Sequence, residues 1–173
     1  MHWYWIDRIT VFESRTRAEA IKAITLAESH LHDHFQYHPV MPASLIIEGL
    51  AQTAGLLVGE ANGYTTKVVL AKIPKIVFHE TEFVPGDTLT YEAILEALRG
   101  DGAMVSVRAK KEGRLVAEGE LVFAHLGDTI SSHAFSNKML FEDGDMIKMM
   151  RVFRAYEVAV DADGNRLQIP EIR

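Results

Sequence analysis

Pro42-Ala43-Ser44-Leu45-Ile46-Ile47-Glu48-Gly49-Leu50-Ala51-Gln52-Thr53-Ala54-Gly55-Leu56-Leu57-Val58 is the stretch whose periodicity decides the fold class. Leu45, Ile46, Ile47, Leu50, Ala51, Ala54, Leu57 and Val58 cover most of a helical circumference, and only Glu48, Gln52 and Thr53 are polar. A helix that is apolar on nearly every side is a buried one. Pro42 suits its first turn with Ser44 just inside, and Gly63 offers a stop. Ala51, Gly55 and Gly59 form a small-residue stripe along it, which lets another backbone come close.

After residue 67 the apolar period changes from helical to alternating. Leu89, Tyr91, Ala93, Leu95 and Ala97 alternate with Thr90, Glu92 and Glu96, as in a half-buried strand. Asp101-Gly102 and Glu112-Gly113 are turn signals that separate it from strands over 104–111 and 114–126, and Pro85-Gly86-Asp87 punctuates the entry. Residues 17–25 read locally as helix on Ala18, Ala20 and Ala23, against Ile21, Ile24 and Thr25, which favour a strand. One buried helix followed by long antiparallel strands makes an α+β fold with the helix packed on one sheet. Residues 128–137 are polar and read as loop. Asp145–Tyr156 carries Met146, Met150 and Phe153 at helical spacing, with Lys148, Arg151 and Arg154 on another face. Such an amphipathic helix packs on its own domain or a sister subunit, or serves as a docking face.

Composition narrows the functional classes. The chain has 173 residues, 48% hydrophobic and 24% charged, which fits one soluble globular domain. Its net charge of -6 argues against wholesale nucleic-acid binding. With no cysteine there is no disulfide framework, thiolate metal site or cysteine nucleophile. No apolar run is long enough to span a bilayer, and the start from Met1 to Arg8 meets charge too early for a signal peptide, so the cytoplasm is the expected location.

His30, His32, His34 and His38 crowd beside Asp33. On a strand, His30, His32 and His34 would share one face as metal ligands do. No further carboxylate or cysteine completes such a set, and the expectation is no metal. The stretch His34-Phe35-Gln36-Tyr37-His38-Pro39-Val40-Met41-Pro42-Ala43, continued by the helix with Glu48 and Gln52, resembles the signature of the FabZ-type (3R)-hydroxyacyl-acyl-carrier-protein dehydratases. In that family a His-Phe-Pro loop precedes Pro-Val-Met-Pro-Gly and a buried helix reading Glu-Ala-x-Ala-Gln. The family's interval of 14 residues from histidine to glutamate is kept between His34 and Glu48. The similarity continues through 72–78 and Val84-Pro85-Gly86-Asp87, and covers roughly residues 4–126.

The resemblance implies a hotdog fold, a long central helix wrapped by an antiparallel sheet, over residues 1–127. Residues 128–173 are then an extension with no counterpart in a minimal member. Residues 17–25 match the family's first strand, which reverses the local helical reading. The implied reaction is loss of water from a 3-hydroxyacyl thioester, giving a trans-2-enoyl thioester in fatty-acid or related lipid synthesis. His34 would be the base, because a neutral imidazole accepts protons near pH 7. Glu48 would be the acid, kept protonated by burial. The amides of Ala43 and Ser44, at the positive end of the helix, would stabilise the developing oxyanion. Gln52, one turn after Glu48, would orient it.

In the family the two catalytic residues of one site come from different subunits, so a homodimer is expected, with a trimer of dimers (a homohexamer) beyond it. The substrate rides on the phosphopantetheine of acyl carrier protein, and no cofactor is expected. An acidic carrier needs a basic patch, for which Lys72, Lys75, Arg108 and Lys110 are the main candidates, with Lys67, Arg99, Lys111, Arg114, Lys148, Arg151 and Arg154 beside them. Three residues depart from the family's pattern: Asp33 replaces the usual Gly, Gln36 the Pro, and Ala43 the Gly, whose added methyl group stands where the thioester approaches. Two alternatives share the fold: a hotdog thioesterase, using a carboxylate and a water path, and a catalytically weak carrier-binding subunit.

Overall fold

The computed structural model describes residues 3–33, 37–126, 144–168 and 170. In chain order the elements are β1 (Arg8–Glu13), β2 (Arg17–Ala23), α1 (His30–Asp33), α2 (Ala43–Ala61), β3 (Lys67–Phe78), β4 (Thr88–Arg99), β5 (Gly102–Lys111), β6 (Arg114–Leu126), α3 (Asp145–Val152) and β7 (Ala159–Val160), with a 3-10 turn at Ala155–Glu157. The strands form one sheet in the order β3-β6-β5-β4-β2-β1-β7. It is antiparallel except where β7 joins β1 in parallel.

The alternation along β5 turns Ala103, Val105, Val107 and Ala109 inward, and they are buried beneath α2. The helix crosses the sheet with Ile46, Leu50, Ala54, Leu57 and Val58 buried, so its near-continuous apolar surface is used. Pro42 stands at the N-cap rather than in the first turn, and Asn62, just before Gly63, is the C-cap.

Residues 17–23 are a strand because β1 and β4 hydrogen-bond it on both sides, which outweighs the helical preference of its alanines. Ala18 and Ala20 are fully buried on its inner face, where small side chains admit the helix above. This strand is second, not first: β1 precedes it and pairs with it, an element that the alternation in 8–13 did not announce. Ile24 and Thr25 lie beyond the strand's end, with Ile24 N–H donating to Asp87 O at 2.9 Å.

Side chains, rather than another backbone, approach the small-residue stripe of α2 at its two glycines. Gly55 faces the ring of Phe123, and Gly59 leaves room for the thioether of Met146 on α3. The extension thus folds back on its own chain. Met150, Phe153 and Ala155 are buried, Ile9 N–H donates to Phe153 O at 2.9 Å, and Arg8 pairs with Glu157 at 3.2 Å. The loop expected over 128–137 lies outside the described residues.

Gly49 is a tight point of the core. A Cβ there would run into the Tyr91 ring and stand 2.9 Å from Trp5 O. Tyr91 is fully buried, and its hydroxyl has no hydrogen-bond partner among the described residues. Burial pushes the Tyr91 phenol far above its usual value of 10.0, and does the same, less strongly, to Tyr64. Because the folded state resists ionising them, their contribution is fully present below pH 10 and lost as pH rises above it. Tyr91→Phe keeps the ring against Gly49 and removes a buried unpaired group, so it should raise stability by about 1 kcal/mol in denaturant titrations at pH 7. The same variant should soften the loss of stability above pH 10.

Candidate active site

Glu48 lies on the first half of α2, half-buried. Gln52 follows one turn later, and its Nε2 donates to Glu48 Oε1 at 2.9 Å. The same Nε2 donates to the carbonyl of Trp3 at 2.8 Å, while Trp5 N–H donates to Gln52 Oε1 at 2.9 Å. Every polar atom of the amide is therefore engaged, and Glu48 and Gln52 are brought together as the spacing of a helical turn requires.

At the start of α2, the N–H groups of Leu45 and Ile46 turn back to Pro42 O at 3.0 and 3.4 Å. The amides of Ala43 and Ser44 are the first two of the helix, and both residues are exposed. Ala43 is helical and is not among the residues with positive φ, so alanine in the family's glycine position brings no backbone strain. The approach to the helix is pinned by Met41 N–H donating to Phe83 O at 2.8 Å, with both side chains buried. Lys111 holds the loop that carries Phe83: it bonds to Glu80 and to Asp87 and stands 5.7 Å from the Phe83 ring centroid. Hydrogen bonds from Lys111 and Arg114 keep the Glu80 carboxyl below its usual range.

His34 lies outside the described residues, as do Phe35 and Gln36. The segment leading to it is described: α1 packs its His30 ring edge-on against Trp5, centroids 5.0 Å apart. Trp5 is the residue whose N–H holds Gln52, so the start of α1, at His30, is linked through Trp5 to Gln52. His30 and His32 sit on a helical turn, with His32 Nε2 2.7 Å from Leu26 O. The strand geometry that would have placed them on one face with His34 is not adopted. Lys22 anchors this segment from below. Its ammonium bonds Glu28 at 2.6 Å and the carbonyl of Ala23 at 2.8 Å, with Asp7 at 3.5 Å.

The basic candidates divide. Lys72 and Lys75 are exposed on β3. Arg108 and Lys110, on β5, both pair with the buried Glu92, at 3.4 and 3.2 Å. The contribution of Trp3 and Trp5 escaped the sequence reading, because it is made by their backbone groups, which have no residue signature.

A FabA-like domain matches residues 2–123. The 3-hydroxyacyl-[acyl-carrier-protein] dehydratase FabZ of Listeria monocytogenes is 39% identical over 120 residues, covering 69% of this chain and 83% of that protein. FabZ of Streptococcus pyogenes is 42% identical over 106 residues, 61% of this chain and 76% of its own length. Among solved structures, the dehydratase heterocomplex ApeI:P of Xenorhabdus doucetiae superposes with a TM-score of 0.61 at 14% identity, over 73% of this chain and 85% of that one. AziG of S. sahachiroi gives 0.57 at 20% identity, over 69% and 90%. These likenesses establish a hotdog fold. On the matched domain and the identity shared over most of its length, the chain belongs to the FabA-like family, among its FabZ-type hydroxyacyl-acyl-carrier-protein dehydratases.

Proposed function

We propose that this protein removes water from (3R)-3-hydroxyacyl chains carried by acyl carrier protein, with His34 as base and Glu48 of the partner subunit as acid. The observation that carries this reading is the Gln52-bound Glu48 on the buried helix of a FabZ-type chain. The His34 imidazole takes the proton from C2. As the electron pair forms the C2–C3 double bond, the C3–O bond breaks and the Glu48 carboxyl gives its proton to the departing oxygen, which leaves as water. Returning the proton from imidazolium to carboxylate through solvent closes the cycle. The amides of Ala43 and Ser44 donate to the thioester oxygen while negative charge gathers on it.

A second copy of the chain completes the site. β3 is an edge of the sheet, long and open, with Leu70 and Ile73 exposed along it. Such a strand is a template for pairing with another chain. Acyl carrier protein docks on a basic surface, and the exposed Lys72 and Lys75 suit it better than Arg108 and Lys110, whose charge Glu92 offsets.

Incubation with 3-hydroxyacyl-acyl carrier proteins of several chain lengths tests the reading. The expected product is the trans-2-enoyl thioester, with the carrier thiol still blocked. Release of free acid and carrier thiol would make the protein a thioesterase, and tight carrier binding without turnover would make it a non-catalytic subunit.

A further inference from the structure

We infer that the N-terminal arm, residues 3–6, is a positioning element that selects which oxygen of Glu48 carries the acidic proton, and that the C-terminal extension braces it. The inference rests on the reading of Glu48 as the acid. Trp5 N–H can only donate, so the atom of Gln52 facing it must be the oxygen. Trp3 O can only accept, so the atom facing it must be the nitrogen. The two backbone groups together exclude the flipped amide. The remaining hydrogen on Gln52 Nε2 then points at Glu48 Oε1, which has to accept it. With Oε1 committed as acceptor, Oε2 is the oxygen left to hold the proton that is given away. Without the arm, the amide could turn over and offer its oxygen to Glu48, drawing the proton into an internal hydrogen bond.

The arm is held in turn by residues beyond the matched domain. The Tyr4 ring meets Phe153 edge-on, centroids 5.1 Å apart. The Phe153 carbonyl accepts from Ile9 N–H at the start of β1, and Phe153 itself is buried. The Trp5 ring is met edge-on by His30. A line of contacts therefore runs from the extension through Tyr4 and the Trp3–Trp5 backbone to Gln52 and Glu48, and it gives residues 144–160 a role in the reaction geometry.

Steady-state kinetics of the full chain test this. Gln52→Met keeps the length and apolar bulk of the side chain but removes its donors. It should lower kcat by about 10- to 100-fold, the scale on which a misplaced catalytic group acts. KM should stay within about twofold. The melting temperature should fall by only about 5 °C for the bonds lost to Trp3 and Trp5, leaving the variant fully folded at assay temperature, a split that a folding defect would not give. Tyr4→Ala should lower kcat by about three- to tenfold in the wild-type background and by nothing further in Gln52→Met, since both act through one amide. Wild-type kcat in Gln52→Met while Glu48→Gln is inactive would overturn the inference and leave the proposed function standing. Losses that multiply in the double variant would overturn the coupling to the extension. Full activity in Glu48→Gln would overturn the assigned acid, and the inference with it.

Discussion

Glu48→Gln should lower kcat for dehydration of 3-hydroxyacyl-acyl carrier protein by about 10²- to 10⁴-fold if Glu48 is the acid proposed, the usual contribution of a positioned general acid. The substitution is close to isosteric, and Gln52 can still donate to the new amide oxygen. The arm and the helix should therefore stay in place, and the loss should fall on kcat rather than on folding. His34→Ala should lower kcat on the same scale, with the C2 proton no longer exchanging with solvent. Rates for both variants, measured with the melting temperature, check this. Near wild-type turnover in either would remove that residue from the mechanism.

The largest effect on stability is expected at Lys22. Its side chain is only 5% exposed, on the same face of β2 as Ala18 and Ala20. Glu28 pairs with it at 2.6 Å and also accepts from Thr25 N–H at 3.0 Å, so one carboxylate both neutralises a buried ammonium and shapes the turn toward α1. Removing one partner of a buried pair leaves an uncompensated charge, at a cost of about 3–5 kcal/mol. Glu28→Ala should sit near the lower end, about 3 kcal/mol, because Asp7 stays 3.5 Å from the ammonium. Lys22→Met should cost less, since the carboxylate it strands is 22% exposed and can be hydrated. Denaturant titrations of the two variants check both the size and the order. A small loss in Glu28→Ala would show that Asp7 alone suffices to pair the ammonium.

The helix was legible because burial leaves a periodic trace: Leu50, Ala54, Leu57 and Val58 had to be apolar, and the structure buries all four. The β4–β6 meander was legible because alternation and turn residues coincide at Asp101-Gly102 and Glu112-Gly113. β2 was locally ambiguous because its alanines answer to the helix overhead, a tertiary demand invisible in a short window. β1 was missed, and its pairing partners, β2 and β7, lie on opposite sides in space and far apart in sequence. At the site, the Glu48–Gln52 contact followed from helical spacing. The Trp3 and Trp5 hydrogen bonds did not, because backbone groups are the same in every residue. The pairing of Glu92 with Arg108 and Lys110 depends on strand register, which decides that two of the proposed docking cations are already engaged.

The proposed site draws His34 and Glu48 from different protomers, and mixing subunits tests that claim directly. Each variant alone, His34→Ala or Glu48→Gln, should be nearly inactive. Co-expressed in equal amounts, they form mixed dimers in about half of the population, each with one intact site of two, so roughly a quarter of wild-type activity should return. Activity in the mixture no higher than the mean of the two inactive parents would contradict a site shared between subunits.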